Sequence, residues 1–332
     1  MRFRFFLLVA LLLPSVALAQ SEQTFSDVSP SREEFEAVED LRERGIFQGR
    51  PDGTFGPDDF VNRAEAITVV VRAVANVQNL PKLNSCFPDV HGDVWFVKPV
   101  CYAEDLGWIS GYPDGTFQPV RTVAKAEFLK ILLNAYGTNT DEAFSLGDPL
   151  AVDAANMDDW YFPFLSYAIA SSMTSADSFG NLNPGVALTR GQVALLIHRF
   201  LLYREGDRNQ NLLTNAEKDT RLAFSHLDAL ETNKALYAVG RVRLAAWGAG
   251  ERLVGSPLIQ ATAQLGDALR SLVWAYRMVQ ANDLTAAQVK TQEAYQRAEK
   301  ADTFSDSVQS YTDRVRSYAH DLAEDIRAHE EN

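Results

Sequence analysis

A unit of 62 residues that repeats itself constrains this chain more than any other feature of its sequence. FSDV at Phe25–Val28 returns as FPDV at Phe87–Val90, and PDGTF at Pro51–Phe55 returns at Pro113–Phe117, both shifted by 62 positions. The same shift carries Gly45-Ile46 onto Gly107-Trp108 and Arg63-Ala64-Glu65 onto Lys125-Ala126-Glu127. A third copy lies 65 positions further on. Trp95 maps to Trp160, Tyr102 to Tyr167, Pro119 to Pro184, Lys125 to Arg190 and Glu127 to Gln192. A unit of this size cannot bury its own apolar face, so the copies must stack or close on one another.

Each copy has the same local grammar. An aromatic-Asp-Val entry leads to a helix, as over Val94 to Leu106, which Gly107 ends in a left-handed cap. An extended piece and a Pro-Asp-Gly turn follow; proline sets φ at the first corner and glycine accepts positive φ. A second helix starts near Val123 and carries Phe128, Leu129, Leu132 and Leu133 on one side. Its counterparts are Ile67, Val70, Val71 and Val74 in copy one and Val193, Leu196, Ile197 and Phe200 in copy three. The spacing predicts that the three second helices pack together. Copy three has no Pro-Asp-Gly turn; SADSFGNLNP keeps only Gly180 and Pro184 in register.

These residues together resemble the S-layer homology (SLH) domain: FxDV, a following aromatic, G-[IW]-x-x-G-x-P-D-G-T-F and [TN]-R-A-E. The resemblance covers Phe25 to Tyr203. It implies a mainly α fold, a pseudo-threefold helical bundle with grooves between lobes. It also implies an exported protein held noncovalently to envelope glycan, a pyruvylated cell-wall polysaccharide or peptidoglycan. The basic residue of the T-R-A-E segment would grip the ligand, which here means Arg63, Lys125 and Arg190.

The chemistry suits such a ligand. A guanidinium pairs with a sugar-borne carboxylate through two parallel N–H donors. A helix start adds backbone N–H groups and partial positive charge. Gly49, Gly53, Gly111 and Gly115 let a sugar approach the backbone, and Asp52 and Asp114 sit in the same turns. Tyr112, Trp95 and Trp160 offer ring faces. Each residue also has a purely structural reading. Asp52 and Asp114 would cap their own turns, and Trp95 and Trp160 would face the core. No copy is complete: Lys125 lacks the planar fork of arginine, copy three reads Gly191-Gln192, and Glu33 stands where copy one would need its aromatic. If the grooves lie between repeats, Arg63 faces the Gly111 to Asp114 turn across one of them.

Residues 1–19 read as a secretory leader. Arg2 and Arg4 precede an apolar stretch, Phe5 to Leu13, too short to span a bilayer, and Ala17-Leu18-Ala19 is a small-x-small cleavage site. No later segment is apolar enough to insert in a membrane. An exported context favours a disulfide between Cys86 and Cys101, the only cysteines. In the chain-entropy picture such a loop stabilises by about 3 kcal/mol. The alternative, a metal or redox site, has neither CxxC spacing nor clustered histidine behind it. A formal charge of −13 argues against nucleic acid or an anionic membrane as a nonspecific partner. An anionic ligand must then be held by local cationic pockets.

From Asn211 the composition shifts to Ala, Leu, Gln and charged residues, with Pro257 the only proline. Leu258, Thr262, Leu265, Leu269, Leu272, Tyr276 and Val279 step by fours and threes, as do Phe304, Val308, Tyr311, Val315, Tyr318 and Leu322. A poorer seam runs through Ala223, Leu227, Leu230, Lys234 and Tyr237. Gly248, Gly250, Gly255 and Pro257 are read as breaks, and Thr285 with Gln288 as a capping box. The expectation is three or four long helices in an antiparallel bundle or coiled coil, able to self-associate. No catalytic motif such as HExxH or GxSxG occurs here. An anchoring protein is therefore the leading reading and a wall-held glycan or peptidoglycan enzyme the alternative. No cofactor is implied. The expected boundaries are 1–19 for the leader, 25–78, 86–138 and 148–203 for the repeats, and 211–330 for the helical region.

Overall fold

The structure is a computed structural model that describes residues 23–75, 80–81 and 85–330. The expected leader lies outside the described residues. The fold is mainly α. The repeats contribute α1 (Phe35–Glu43) and α2 (Arg63–Val74), α3 (Val97–Asp105) and α4 (Lys125–Ala135), and α6 (Phe162–Ala170) and α7 (Arg190–Glu205). The short α5 (Asp141–Phe144) links the second copy to the third. A two-stranded hairpin, β1 (Ser85–Phe87) with β2 (Val90–His91), opens copy two, and the Cys86–Cys101 disulfide joins it to α3.

Three backbone segments close the repeats into a ring. The Val61 N–H donates to the Leu188 carbonyl at 2.9 Å, Leu188 to Val123 at 3.0 Å, and Val123 back to Val61 at 3.0 Å. Each of these residues lies just before the second helix of its copy. The helices then start in the same cyclic way. Arg63 and Ala64 donate their N–H groups to the Arg121 and Pro119 carbonyls, Lys125 and Ala126 to Val186 and Pro184, and Arg190 and Gly191 to Asp59 and Pro57. Those are the amides that a helix leaves without internal partners, so here the neighbouring repeat serves as the cap. The next donors are held by local boxes, Asn62 with Glu65 in α2 and Thr189 with Gln192 in α7. In α4, Ala124 has no side-chain acceptor, and only the reverse half remains, Glu127 accepting from the Ala124 N–H at 3.0 Å.

Helix packing follows the same cycle. The first helix of each copy lies on the second helix of the preceding one: α3 on α2, α6 on α4, and α1 on α7. The second helices share one core: α4 packs on α2, as the spacing suggests, and each second helix also carries the first helix of the next copy.

The entry aspartates have a role that no spacing rule assigned. The Asp27 carboxylate accepts from the Phe55 and Gly56 N–H groups at 2.8 and 2.7 Å. Asp89 does so with Phe117 and Gln118, and Asp153 with Leu182 and Asn183. The second residue of each pair has positive φ: Gly56 +73°, Gln118 +58° and Asn183 +54°. A charge-assisted pair of bonds thus holds a backbone shape that a non-glycine residue rarely adopts. Asp153 escapes the 65-residue offset because it stands 64 positions after Asp89.

The C-terminal region is five helices rather than three or four: α8 (Asn209–Asp228), α9 (Thr232–Gly250), α10 (Pro257–Gln280), α11 (Leu284–Asp302) and α12 (Gln309–Glu330). Successive helices pack on one another. The poorer seam is split between α8 and α9, because Leu230 sits at φ +57° in the connecting turn and is exposed. Asp283 caps α11 by accepting from the Ala286 N–H, in place of the Thr285–Gln288 box. Gly248 is not a break. It lies inside α9 where a Cβ would collide with the Ala170 carbonyl, and Gly240 meets the Pro149 oxygen in the same way at 2.7 Å. Small residues let α9 press its backbone against copy three. Arginines fasten the contact: Arg241 donates to the Leu150 carbonyl and to Asp219, and Arg243 donates to the Leu146 carbonyl and pairs with Asp148, which Arg270 also holds.

Burial works against ionisation of Asp27, but the N–H groups of Phe55 and Gly56 outweigh it and hold its carboxyl below the usual range. Such a group stabilises the fold fully above its unfolded pKa, about 3.9, and loses that contribution as pH falls through the lowered folded value. Asp27→Ala is therefore expected to cost about 2 kcal/mol at neutral pH in urea denaturation, and the difference from wild type should close in strong acid. A difference that stays constant down to about pH 2 would refute this role.

Candidate functional site

The ring decides where the three basic residues go, because each begins a second helix whose first amides are bound to the next repeat. Arg63 crosses from copy one to copy two. Its Nε donates to the Phe117 carbonyl at 3.1 Å and its Nη2 to the Ser110 carbonyl at 3.0 Å. The guanidinium carbon lies 5.1 Å from the centre of the Tyr112 ring and 4.9 Å from that of Phe117. Arg190 repeats the arrangement between copies three and one, with the Phe55 and Gln48 carbonyls and the Phe47 and Phe55 rings. Lys125 reaches one carbonyl of copy three, Leu182, at 2.8 Å.

These cations share a second property. Among the described residues none of the three makes an ion pair. Arg63 is only 7 % exposed, and the groups in contact with its guanidinium are carbonyl dipoles and ring faces. Burial lowers the pKa of all three, an effect that the nearby acids counter in part. A buried charge without a contacting counter-charge is costly, and Arg63 lines a groove between repeats.

The Arg63 groove is built from all three repeats. Copy one supplies Arg63, copy two supplies Ser110, Gly111, Tyr112, Glu127 and Lys130, and copy three supplies Trp160. Glu127 is already engaged there by Arg121 at 2.7 Å and by the Tyr112 hydroxyl at 3.1 Å. The Lys130 ammonium lies 5.4 Å from the centre of the Trp160 ring. Trp160 is 53 % exposed and Trp95 61 %, so neither is the core residue that helical spacing allows. Trp95 rests edge-on against Phe96 and does not line the Arg63 groove.

Other sequence candidates serve the scaffold. Asp52 accepts from the Thr54 N–H and hydroxyl, and Asp114 from those of Thr116, so each closes its own turn. Gly53 and Gly115 are needed for φ +81°. Gly49 and Gly111 are needed because the entry aromatics, Phe25 and Phe87, fill the space a Cβ would take. The backbone amides expected to face a ligand at the helix starts are occupied by the neighbouring repeat, as described above. The turn missing from the third copy by sequence is present in space. Asp177 N–H donates to the Asn181 carbonyl and Gly180 N–H to Asp177, as Tyr112 and Gly115 do in copy two. The Asp177 carboxylate caps it from the position that Tyr112 holds in copy two. This puts an acid near Lys125. Among the described residues no group of three His, Cys, Asp or Glu side chains is placed to hold a metal ion, and no helix is long and apolar enough to cross a membrane.

Comparison with known proteins agrees with the repeat. The family model described as S-layer homology domain matches residues 24–67, 87–129 and 152–194. The chain is 28 % identical over 197 residues to the Surface-layer 125 kDa protein of Lysinibacillus sphaericus, covering 58 % of this chain and 16 % of that one. It is 35 % identical over 126 residues to Cell surface glycoprotein 1 of Acetivibrio thermocellus (35 % of this chain, 5 % of that one). It is 31 % identical over 115 residues to the Cellulosome-anchoring protein of the same organism (34 % and 26 %). The chain thus spans about a quarter or less of the length of these relatives.

The two glycine types make separable predictions. Gly111→Ala places a methyl 2.9 Å from the Phe87 ring and from the Thr116 oxygen and is expected to cost about 1–3 kcal/mol. Gly53→Ala meets nothing and should cost about 1–2 kcal/mol from its left-handed φ alone. Urea denaturation of both, with Gly185→Ala as an unstrained control, checks this; a Gly111→Ala protein as stable as the control would contradict the assignment.

Proposed function

This chain carries three S-layer homology domains, and we propose that through them it is an exported protein held noncovalently at the cell surface by an anionic wall polysaccharide. The observation that carries this reading is the buried Arg63 guanidinium, unpaired with any carboxylate and open to a groove that three repeats line together. A pyruvate ketal is a compact carboxylate on a sugar. It would supply the missing counter-charge while Tyr112 and Trp160 flank the ring. An acidic chain needs such a device, because its overall field repels the ligand.

The grooves are not equivalent in this reading. The Arg63 groove combines a guanidinium, a second cation in Lys130 and two ring faces. The Arg190 groove has the guanidinium with Phe47 and Phe55 beneath it, and the threefold relation assigns Trp95 to its edge. The Lys125 groove has a point charge and faces Asp177. The helical region then displays or assembles whatever the repeats anchor, at an orientation set by its arginine contacts with copy three. The cell-surface and anchoring names of the relatives support this reading.

In pull-downs on purified wall glycan, Arg63→Ala should weaken retention most, Arg190→Ala less and Lys125→Ala least. Arg63→Lys should be intermediate, since Lys125 shows that lysine can span the same gap. Retention should fall when pyruvate ketals are removed from the glycan. Wild type and all variants retained alike, with melting temperatures confirming that they fold, would sink the proposal.

A further inference from the structure

A second cleft lies away from the grooves, at the junction of the repeats with the helical region. Its wall is aromatic. Tyr167 of α6 stands nearly perpendicular to Trp247 of α9, with centroids 6.4 Å apart, and to Tyr203 of α7 at 6.3 Å. The Tyr203 hydroxyl donates to the Gly248 carbonyl at 3.0 Å, which ties that wall to α9.

Its rim is charged in both senses. Arg252 lies over the Tyr203 ring at 4.7 Å and Arg204 over the Tyr136 ring at 4.9 Å. Glu142 and Glu251 face the same cleft. Among the described residues none of these four makes an ion pair. The arginines are steadied by ring stacking, which leaves N–H edges for another acceptor.

We propose that this junction cleft binds a neutral saccharide, two or more pyranose rings of a glycan chain. The half-buried Tyr167 and Trp247 rings, set beside fixed donors and acceptors, match a sugar, which has an apolar C–H face and a rim of hydroxyls. An anionic ligand would meet Glu142 and Glu251, and an apolar one would strip water from four charges. Small-molecule sites combine aromatic faces with placed polar groups; the larger polar share here suits a ligand rich in hydroxyls. The α4–α5 link, α6, α7 and the end of α9 all contribute, so the site exists only with the helical region docked. It shares no residue with the Arg63 groove and takes a ligand of different charge, so it does not rest on the groove reading.

Isothermal titration of the full chain with two neutral probes, tetra-N-acetylchitotetraose and cellotetraose, tests the proposal. At least one should bind saturably. Arg252→Ala and Glu142→Gln, both exchanges of exposed side chains, should raise its Kd tenfold or more, while Arg63→Ala leaves it unchanged. No binding of either probe overturns the proposal. So does binding that survives both rim exchanges, or binding that Arg63→Ala abolishes.

Discussion

Three backbone hydrogen bonds, from Val61 to Leu188, Leu188 to Val123 and Val123 to Val61, are the contacts on which the rest of the repeat domain depends. Each is worth little alone, on the order of 1 kcal/mol. Their value lies in closure: no copy can start its second helix correctly unless its neighbour is in place. The helix starts then project Arg63, Lys125 and Arg190 across the joints rather than into their own copies. The joint between repeats, not the repeat, is thus the unit that gathers these cations.

Much of this was legible in the sequence. The 62-residue offset located the turns, the second helices and the residue types at the joints. It also placed Arg63 opposite the Gly111 turn, once grooves were taken to lie between copies. What was not legible has physical causes. A single-residue difference in spacing takes Asp153 out of register, so the sequence offset does not reveal the carboxylate that shapes each turn exit. Backbone atoms carry no sequence signal, so nothing in the letters showed that the helix-start amides are already engaged by the next repeat. Copy three forms its turn with Asp177 and Gly180 because hydrogen bonding to a carboxylate can replace a proline's fixed φ. Trp95 and Trp160 sit at helix starts where both core and solvent are open to them, and periodicity cannot choose between the two.

The helical region reads differently. Its heptad-like seams within α10 and α12 mark the core faces. Its attachment to the repeats rests on features that a pattern of apolar residues does not carry. Gly240 and Gly248 allow backbone-to-backbone approach, and Arg241, Arg243 and Arg270 meet carbonyls and acids of the linker before copy three. Gly248 looked like a helix break because glycine in a helix is costly without a reason; the Ala170 carbonyl is the reason.

Ring closure also has a mechanical side. In an open row of repeats, tension applied at the last one peels the units apart one at a time. Here copy three is bonded to copy one through Arg190 and Gly191 as well as to copy two through its own carbonyls. A pull on the helical region, passed into copy three by the α9 arginines, is shared at once by two joints. Copy three also supplies Trp160 to the Arg63 groove, so the same pull reaches one wall of that groove.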